Sequence, residues 1–146
     1  MKVSNQHKTK KRILIVDDVE NNCLLIEDHL RSALKCEFRM ASSGREALKI
    51  LKNWLPDCIL MDIMMPEMDG IEACEKIRKI PELENTLITF LTARGEDYSK
   101  VAGFDAGADD YITKPIKPKV LVSKIKSLLR RLKTQSDSIS DAIIVL

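Results

Sequence analysis

The sequence has few of the features that mark a disordered, membrane-spanning or secreted chain. Gly and Pro number only 5 each among 146 residues, and 45% of the residues are hydrophobic, which is typical of a folded protein. No apolar run is long enough to span a membrane, and the polar, basic start has no secretory signal. We therefore predict one globular domain with a cytoplasmic location.

Metal-binding patterns of cysteine and histidine are also missing. The four cysteines contain no Cys-x-x-Cys pair, and the chain has only two histidines. A structural zinc site needs about four such ligands at defined spacings. We expect all four cysteines to be reduced thiols with a structural role.

Acidic residues are absent from two basic segments, residues 1–12 and 114–136, and concentrated between them. Residues 1–12 have five Lys or Arg and no acid, and residues 114–136 have eight Lys or Arg and no acid. Residues 13–113 have 20 acids against 11 bases, which is a net charge of −9. This acid excess disfavours a nucleic-acid binding face and favours a divalent cation.

Short apolar segments alternate with longer amphipathic ones, which predicts an α/β domain with five strand and helix units. Strands are predicted at residues 12–16, 36–40, 57–61, 87–91 and 110–113. Helices are predicted at 20–34, after Gly44, and at 70–79, 97–106 and 118–132. Right-handed crossovers favour a doubly wound, five-stranded parallel sheet in the flavodoxin-like order 2-1-3-4-5, with helices on both faces.

Carboxylates and a lysine follow three of the predicted strands. Asp17 and Asp18 follow the first, Asp62 the third and Lys114 the fifth. Because parallel strands end at the same edge of a sheet, these groups should converge. Three acids beside a lysine suit a hard cation and a phosphoryl acceptor. Taken alone, an acid pair such as Asp17-Asp18 after a strand is more often a helix-capping turn than a metal site.

Four motifs at these positions resemble the receiver domain of bacterial two-component response regulators. They lie in order between residues 12 and 132: Ile-Val-Asp-Asp, Met-Asp-Ile-Met-Met-Pro-Glu-Met-Asp-Gly, Leu-Thr-Ala and Tyr-Ile-Thr-Lys-Pro. The segment 118–131 resembles the last receiver helix of the OmpR/PhoB-type winged-helix transcription regulators. The resemblance implies a signalling switch that accepts a phosphoryl group from a sensor histidine kinase. Such a protein promotes its own phosphorylation and dephosphorylation and is not an enzyme in the ordinary sense.

The resemblance also implies a role for each residue of the site. Asp62 would be the phosphoacceptor. Mg²⁺, or Mn²⁺ as the alternative, would be held by the carboxylates of Asp17, Asp18 and Asp62 and the backbone carbonyl of Met64. The phosphoryl oxygens would be bound by Thr92, Ala93 and Lys114.

Further roles implied by the resemblance concern the output. Thr92 and Tyr111 would act as the switch, and Pro115 would follow a cis peptide bond. Phosphorylation would favour a homodimer through helix 4, strand 5 and helix 5, with a face formed by Asp105, Asp109, Asp110, Lys124 and Arg131. Members of the family have an acidic residue in helix 5 at about the position of Val120. This chain has no acid there, which departs from the usual pairing of charges across the dimer.

We divide the chain into a basic tail (1–11), the receiver domain (12–132) and a polar linker (133–146) whose last residues, 142–146, are expected to form a strand. This division predicts that a DNA-binding domain follows and that the output is transcription. DNA would then be contacted only through that domain, and no membrane contact is expected. The alternative is a stand-alone receiver that acts by protein contact.

Two other classes are less compatible with the sequence. A phosphatase of the haloacid dehalogenase type would use an aspartyl phosphate with Mg²⁺, but it needs a second acid at position 64, which is Met. A flavin- or nucleotide-binding module needs a loop rich in Gly or hydroxyl groups after the first strand. That loop, 17–22, begins with two acids and would repel a phosphate.

Overall fold

The computed structural model describes residues 10–93 and 97–145, and for 97–100 and 133–145 it describes the backbone only. In these residues five strands alternate with five α helices. The strands are β1 Lys11–Val16, β2 Cys36–Ala41, β3 Cys58–Asp62, β4 Leu87–Ala93 and β5 Asp110–Lys114. The helices are α1 Glu20–Ala33, α2 Gly44–Ile50, α3 Gly70–Ile77, α4 Asp97–Asp105 and α5 Pro118–Val145. A short 3-10 helix, Pro81–Leu83, lies between α3 and β4.

The strands form one parallel sheet in the order β2-β1-β3-β4-β5, which confirms the predicted order. All five residues of β3 and the last four of β1 are buried. Such continuous burial is expected of strands that are covered by helices on both faces. In β2 buried and exposed residues are interleaved, and this strand lies at one edge of the sheet, as its sequence indicates.

Helices cover the two faces of the sheet in different groups. On one face, Ala47 of α2 and Ile77 of α3 belong to a buried apolar cluster. On the other face, Leu30 of α1 and Ile125 of α5 belong to a second cluster. The sheet is therefore the middle layer of three, and its strand ends are the part that the helices leave accessible.

The four cysteines are free and buried, as predicted, and therefore belong to the interior of the domain. Burial raises the pKa of the Cys23 thiol to about 11 and that of the Cys58 thiol to about 12. Both thiols consequently stay protonated at neutral pH and behave as small apolar side chains.

The helix α5 continues past its predicted end. It runs without a break from Pro118 to Val145, whereas the sequence predicts a helix end at residue 132, a linker after it and a strand at 142–146. The predicted helix end and the predicted strand are therefore wrong for the described residues 133–145, and the role of this segment as a linker stays a prediction. The sequence has no Gly or Pro after Pro118, so this polar segment lacks the residue types that stop a helix.

Gly70, the first residue of α3, lies against the backbone of β3. A Cβ atom at this position would be 2.3 Å from the carbonyl oxygen of Asp62 and 3.0 Å from Cα of Ile63. At Gly44, the first residue of α2, a Cβ would lie 2.8 Å from Sδ of Met68, the far end of a flexible side chain. Gly70 therefore allows α3 to approach the end of β3 closely.

We predict that Gly70→Ala destabilises the protein by about 2–3 kcal/mol, because the backbone atoms that the new methyl group meets cannot move aside. Gly44→Ala is the matched control, since Met68 can adopt another rotamer, and it should cost less than about 1 kcal/mol. Urea unfolding of the two variants measures the difference. Equal losses would contradict the close approach of α3 to β3.

Candidate metal and phosphoacceptor site

The predicted acids and the lysine meet at the carboxyl edge of the sheet. One carboxylate oxygen from each of Asp17, Asp18 and Asp62 lies within 4.8 Å of the others. Asp17 and Asp62 are buried, with 1% and 5% of their surface exposed, whereas Asp18 is exposed. Lys114 places Nζ 3.2 Å from Oδ1 of Asp62 and 3.7 Å from Oδ2 of Asp17.

The strands themselves bring these groups together. Asp62 is the last residue of β3 and lies beside Leu91 of β4. Asp17 follows the last residue of β1, and its N–H still donates to the carbonyl of Ala41 at 3.1 Å, so the chain stays extended up to the carboxylate. The site therefore lies where β1 and β3 end, at the switch point of the strand order.

Burial and like charge act together on Asp62. Burial raises the pKa of its carboxyl above the ordinary value, the Asp17 carboxylate raises it further, and Lys114 partly offsets both effects. Three carboxylates in reach of one another favour a hard cation with oxygen ligands. The residues present thus fit Mg²⁺ or Mn²⁺ and could hold such an ion.

The other predicted site residues lie around this cluster. Thr92 and Ala93 end β4 and are paired with Thr113 and Lys114 of β5, which places them next to the lysine. Thr92 is buried, and its hydroxyl lies 3.4 Å from the carbonyl oxygen of Ala93. Met64 is in the loop two residues after β3 with its side chain 64% exposed. The peptide bond between Lys114 and Pro115 is cis.

A profile of the family described as the response regulator receiver domain matches residues 13–126 of the chain. The chain belongs to this family. It is 43% identical over 137 residues to the transcriptional regulatory protein SrrA of Staphylococcus aureus, an alignment that covers 89% of this chain and 52% of SrrA. The chain thus spans about half the length of the curated relatives it matches.

Solved structures agree with this assignment. A protein from Chloroflexus aurantiacus assigned as a response regulator superposes with a TM-score of 0.79 at 40% identity, covering 83% of this chain and 98% of that one. The response regulator DrrB, an OmpR/PhoB homologue from Thermotoga maritima, superposes with a TM-score of 0.74 at 30% identity. That alignment covers 84% of this chain and 54% of DrrB.

The predicted switch residue of this receiver, Tyr111, is half-buried in β5. Its ring meets the ring of Phe104 of α4 edge to face, with centroids 5.7 Å apart. The ammonium group of Lys124 of α5 lies 5.7 Å from the centroid of Tyr111. The tyrosine therefore links both helices of the predicted output face, and Phe104 is a contact that the sequence did not predict.

Two acids of the predicted dimer face have cationic partners within the chain. Asp110 forms an ion pair with Lys124 at 3.2 Å. Asp109 forms one with Arg78 at 2.9 Å and also accepts the N–H of Ile88. Asp105 and Arg131 are exposed. The pairing of these residues across a dimer stays a prediction.

Sequence reasoning missed Asn22, which contacts the acid cluster. Its side-chain nitrogen donates to Oδ2 of Asp17 at 3.2 Å. The available signal was its place in the first turn of the helix that follows the acid pair. This signal is weak, because half of the residues in that turn face solvent and Asn21 has the same side chain.

We predict that Asp62→Asn stabilises the metal-free receiver by about 1–2 kcal/mol at pH 7, because it removes a buried charge from beside Asp17. Folding raises the pKa of Asp62 above the ordinary value for an aspartate. At a pH above the raised pKa, the ionised Asp62 therefore destabilises the folded wild type, and at a pH below the ordinary pKa it does not. The gain should therefore shrink as the pH falls through this window. Urea unfolding at several pH values with a chelator present measures it.

The control is Asp28→Asn, at an exposed position of α1. It should change the free energy of unfolding by less than about 0.5 kcal/mol at pH 7. A metal-free Asp62→Asn protein that is less stable than the wild type at pH 7 would show that repulsion does not govern the cluster.

Proposed function

We propose that this receiver domain accepts a phosphoryl group on Asp62 and so switches the output of a two-component regulator. The observation that carries this proposal is the position of the Asp62 carboxylate within 4.8 Å of those of Asp17 and Asp18 and 3.2 Å from Nζ of Lys114. An oxygen of Asp62 attacks the phosphorus, the bond between phosphorus and the donor atom breaks, and its electron pair leaves with the donor.

The surrounding residues would bind the charge that moves with the phosphoryl group. Asp17, Asp18 and Asp62, with the carbonyl of Met64, would hold Mg²⁺ or Mn²⁺, which supplies positive charge near the transferred oxygens. Lys114 turns from the two carboxylates to a phosphoryl oxygen. The hydroxyl of Thr92 and the N–H of Ala93, at the end of the neighbouring strand, donate to the others.

The phosphoryl donor that this family implies is a sensor histidine kinase, and an apolar groove beside the site supports a docking position for it. The groove has a volume of about 300 Å³ and runs from Lys114 along α1, where its lining includes Leu25 and Ile116. Leu25 is 58% exposed. Apolar side chains exposed next to a reactive group are typical of a protein-binding surface.

Incubation with acetyl phosphate and Mg²⁺ tests the acceptor directly. We predict that the wild type gains the mass of one phosphoryl group and that Asp62→Asn gains none, because an amide is too weak a nucleophile to attack phosphorus. Asp28→Asn should be modified as fully as the wild type. Mass spectrometry of the intact proteins gives the result, and one phosphoryl group on Asp62→Asn would place the acceptor elsewhere.

The proposed output is the control of transcription through a DNA-binding domain outside this chain. The similarity to SrrA, a transcriptional regulatory protein, supports it, as does the likeness to the OmpR/PhoB homologue DrrB. In the described part of the chain, no helix is both long and apolar enough to cross a membrane. A cytoplasmic location belongs to the same proposal. A stand-alone receiver that acts by protein contact is the alternative.

Phosphorylation would act on the surface formed by α4, β5 and α5. Three large apolar side chains of the two helices are exposed there: Val101 is 62% exposed, Phe104 47% and Val120 41%. Phe104 also touches Tyr111, the predicted switch residue. We propose that two phosphorylated copies bury these side chains against each other, since an exposed apolar patch favours association.

Light scattering with Mg²⁺ and beryllofluoride, a mimic of the acyl phosphate, tests this association. We predict a dimer for the wild type and a monomer for Val101→Asp, because a buried carboxylate without a partner opposes dimerisation. Leu55→Asp, which changes an exposed leucine outside α4, β5 and α5, is the matched control and should still dimerise. A wild type that stays monomeric with beryllofluoride would contradict the proposed dimer.

A further inference from the structure

Asn22 is the one residue of α1 whose side chain is seen to hydrogen-bond the buried Asp17 carboxylate in the described chain. Its Nδ2 donates to Oδ2 at 3.2 Å, and the N–H of Val19 donates to Oδ1 at 2.9 Å. Asn22 is half-buried, whereas the preceding Asn21 is exposed. Each carboxylate oxygen of Asp17 therefore has one neutral donor, and the donor on Oδ2 is a side chain that can be replaced.

Oδ2 of Asp17 also has a charged neighbour. Nζ of Lys114 lies 3.7 Å from it but is closer to Asp62, at 3.2 Å. A phosphoryl group on Asp62 carries more negative charge than a carboxylate and attracts the ammonium away from Asp17. Asn22 and the Val19 N–H then remain as the groups that hold Asp17 in place.

We propose that Asn22 is a positioning residue for cation binding: it holds the Asp17 carboxylate in the orientation in which it faces the cation together with Asp18 and Asp62. This inference rests on the proposed function, because it takes Asp17 as part of the cation site. The Asn22 amide can hold the carboxylate because it donates a hydrogen bond and adds no charge to the cluster of three acids. Hydrogen-bond partners of metal-binding carboxylates typically contribute about 10–100-fold to metal affinity.

A purely structural role makes a different prediction. The residue before α1, Val19, has no side-chain cap, so the contacts of Asp17 with Val19 and Asn22 also stabilise the start of this helix. If that were the whole role, replacement of Asn22 would lower the free energy of unfolding and leave the affinity for Mg²⁺ unchanged. Metal affinity therefore separates the two roles.

The test compares Asn22→Leu, which keeps the approximate shape and removes the donor, with Asn21→Leu on the exposed position. Calorimetric titration of the metal-free full chain with Mg²⁺ should show a dissociation constant about tenfold higher for Asn22→Leu and changed by less than about twofold for Asn21→Leu. With acetyl phosphate, Asn22→Leu should need about tenfold more Mg²⁺ for half-maximal phosphorylation. Its rate at saturating Mg²⁺ should stay within about twofold of the wild type.

Combination with Asp17→Asn shows whether Asn22 acts through Asp17. In the Asp17→Asn background, Asn22→Leu should change the Mg²⁺ affinity by less than about twofold, because the carboxylate that it positions is gone. An equal affinity of wild type and Asn22→Leu, or a tenfold loss that persists without Asp17, would overturn the inference. Asn22→Ala replaces Asn22→Leu if the latter does not fold.

The same titration separates this inference from the proposed function. A wild type that binds no Mg²⁺ and takes up no phosphoryl group would refute the proposed function itself. A wild type that does both, while Asn22→Leu binds Mg²⁺ equally well, would refute the role of Asn22 alone.

Discussion

The ammonium of Lys114 is shared by two buried carboxylates, those of Asp62 and Asp17. Water reaches neither acid well, so the lysine and a few hydrogen bonds provide the compensation that solvent gives to exposed acids. One cation does not balance two anions, and the pKa of Asp62 accordingly stays raised by burial and by Asp17. With Asp18 within 4.8 Å, the edge of the sheet favours a further positive charge.

The position of Asp62 among these charges depends on the close packing of α3 against the end of β3. The carbonyl oxygen of Asp62 lies against Gly70, the first residue of α3. The helix can come this close because Gly70 has no Cβ atom. The cap of that helix is Asp69, whose carboxylate accepts the N–H of Glu72 at 2.8 Å. Clustered acids cost stability, and the tight contact between β3 and α3 keeps Asp62 in place despite that cost.

Contacts on the β5 side of the site connect it with the predicted output surface on α4, β5 and α5. In the register of β4 and β5, Thr92 lies beside Thr113 and Phe90 beside Tyr111. α4 rests directly on Phe90, because a Cβ at Gly103 would lie 2.6 Å from its ring. A displacement of Thr92 by a phosphoryl group would therefore act on neighbours of both Tyr111 and α4.

Arg78 holds the turn that follows α4. Its guanidinium donates to the carbonyl of Gly107 at 2.9 Å and to that of Thr86 at 2.8 Å, and it pairs with Asp109 at 2.9 Å. These bonds join the end of α3 to the turn between α4 and β5. Side chains far apart in sequence make them, so neither periodicity nor a local motif indicates them.

The parallel sheet, its strand order and the meeting of Asp17, Asp18, Asp62 and Lys114 were predictable from the sequence. Apolar runs and helical periods are local features of a sequence, and parallel strands end at the same edge of a sheet, so both can be read without a structure.

Contacts between individual side chains, in contrast, follow only from the tertiary structure. It selected Asn22 over Asn21 as the partner of Asp17 and paired Asp110 with Lys124 inside the chain. It also continued α5 to Val145, where a polar composition permits both helix and linker. Such choices depend on the direction of each side chain and on its neighbours across the fold, which spacing along a sequence does not specify.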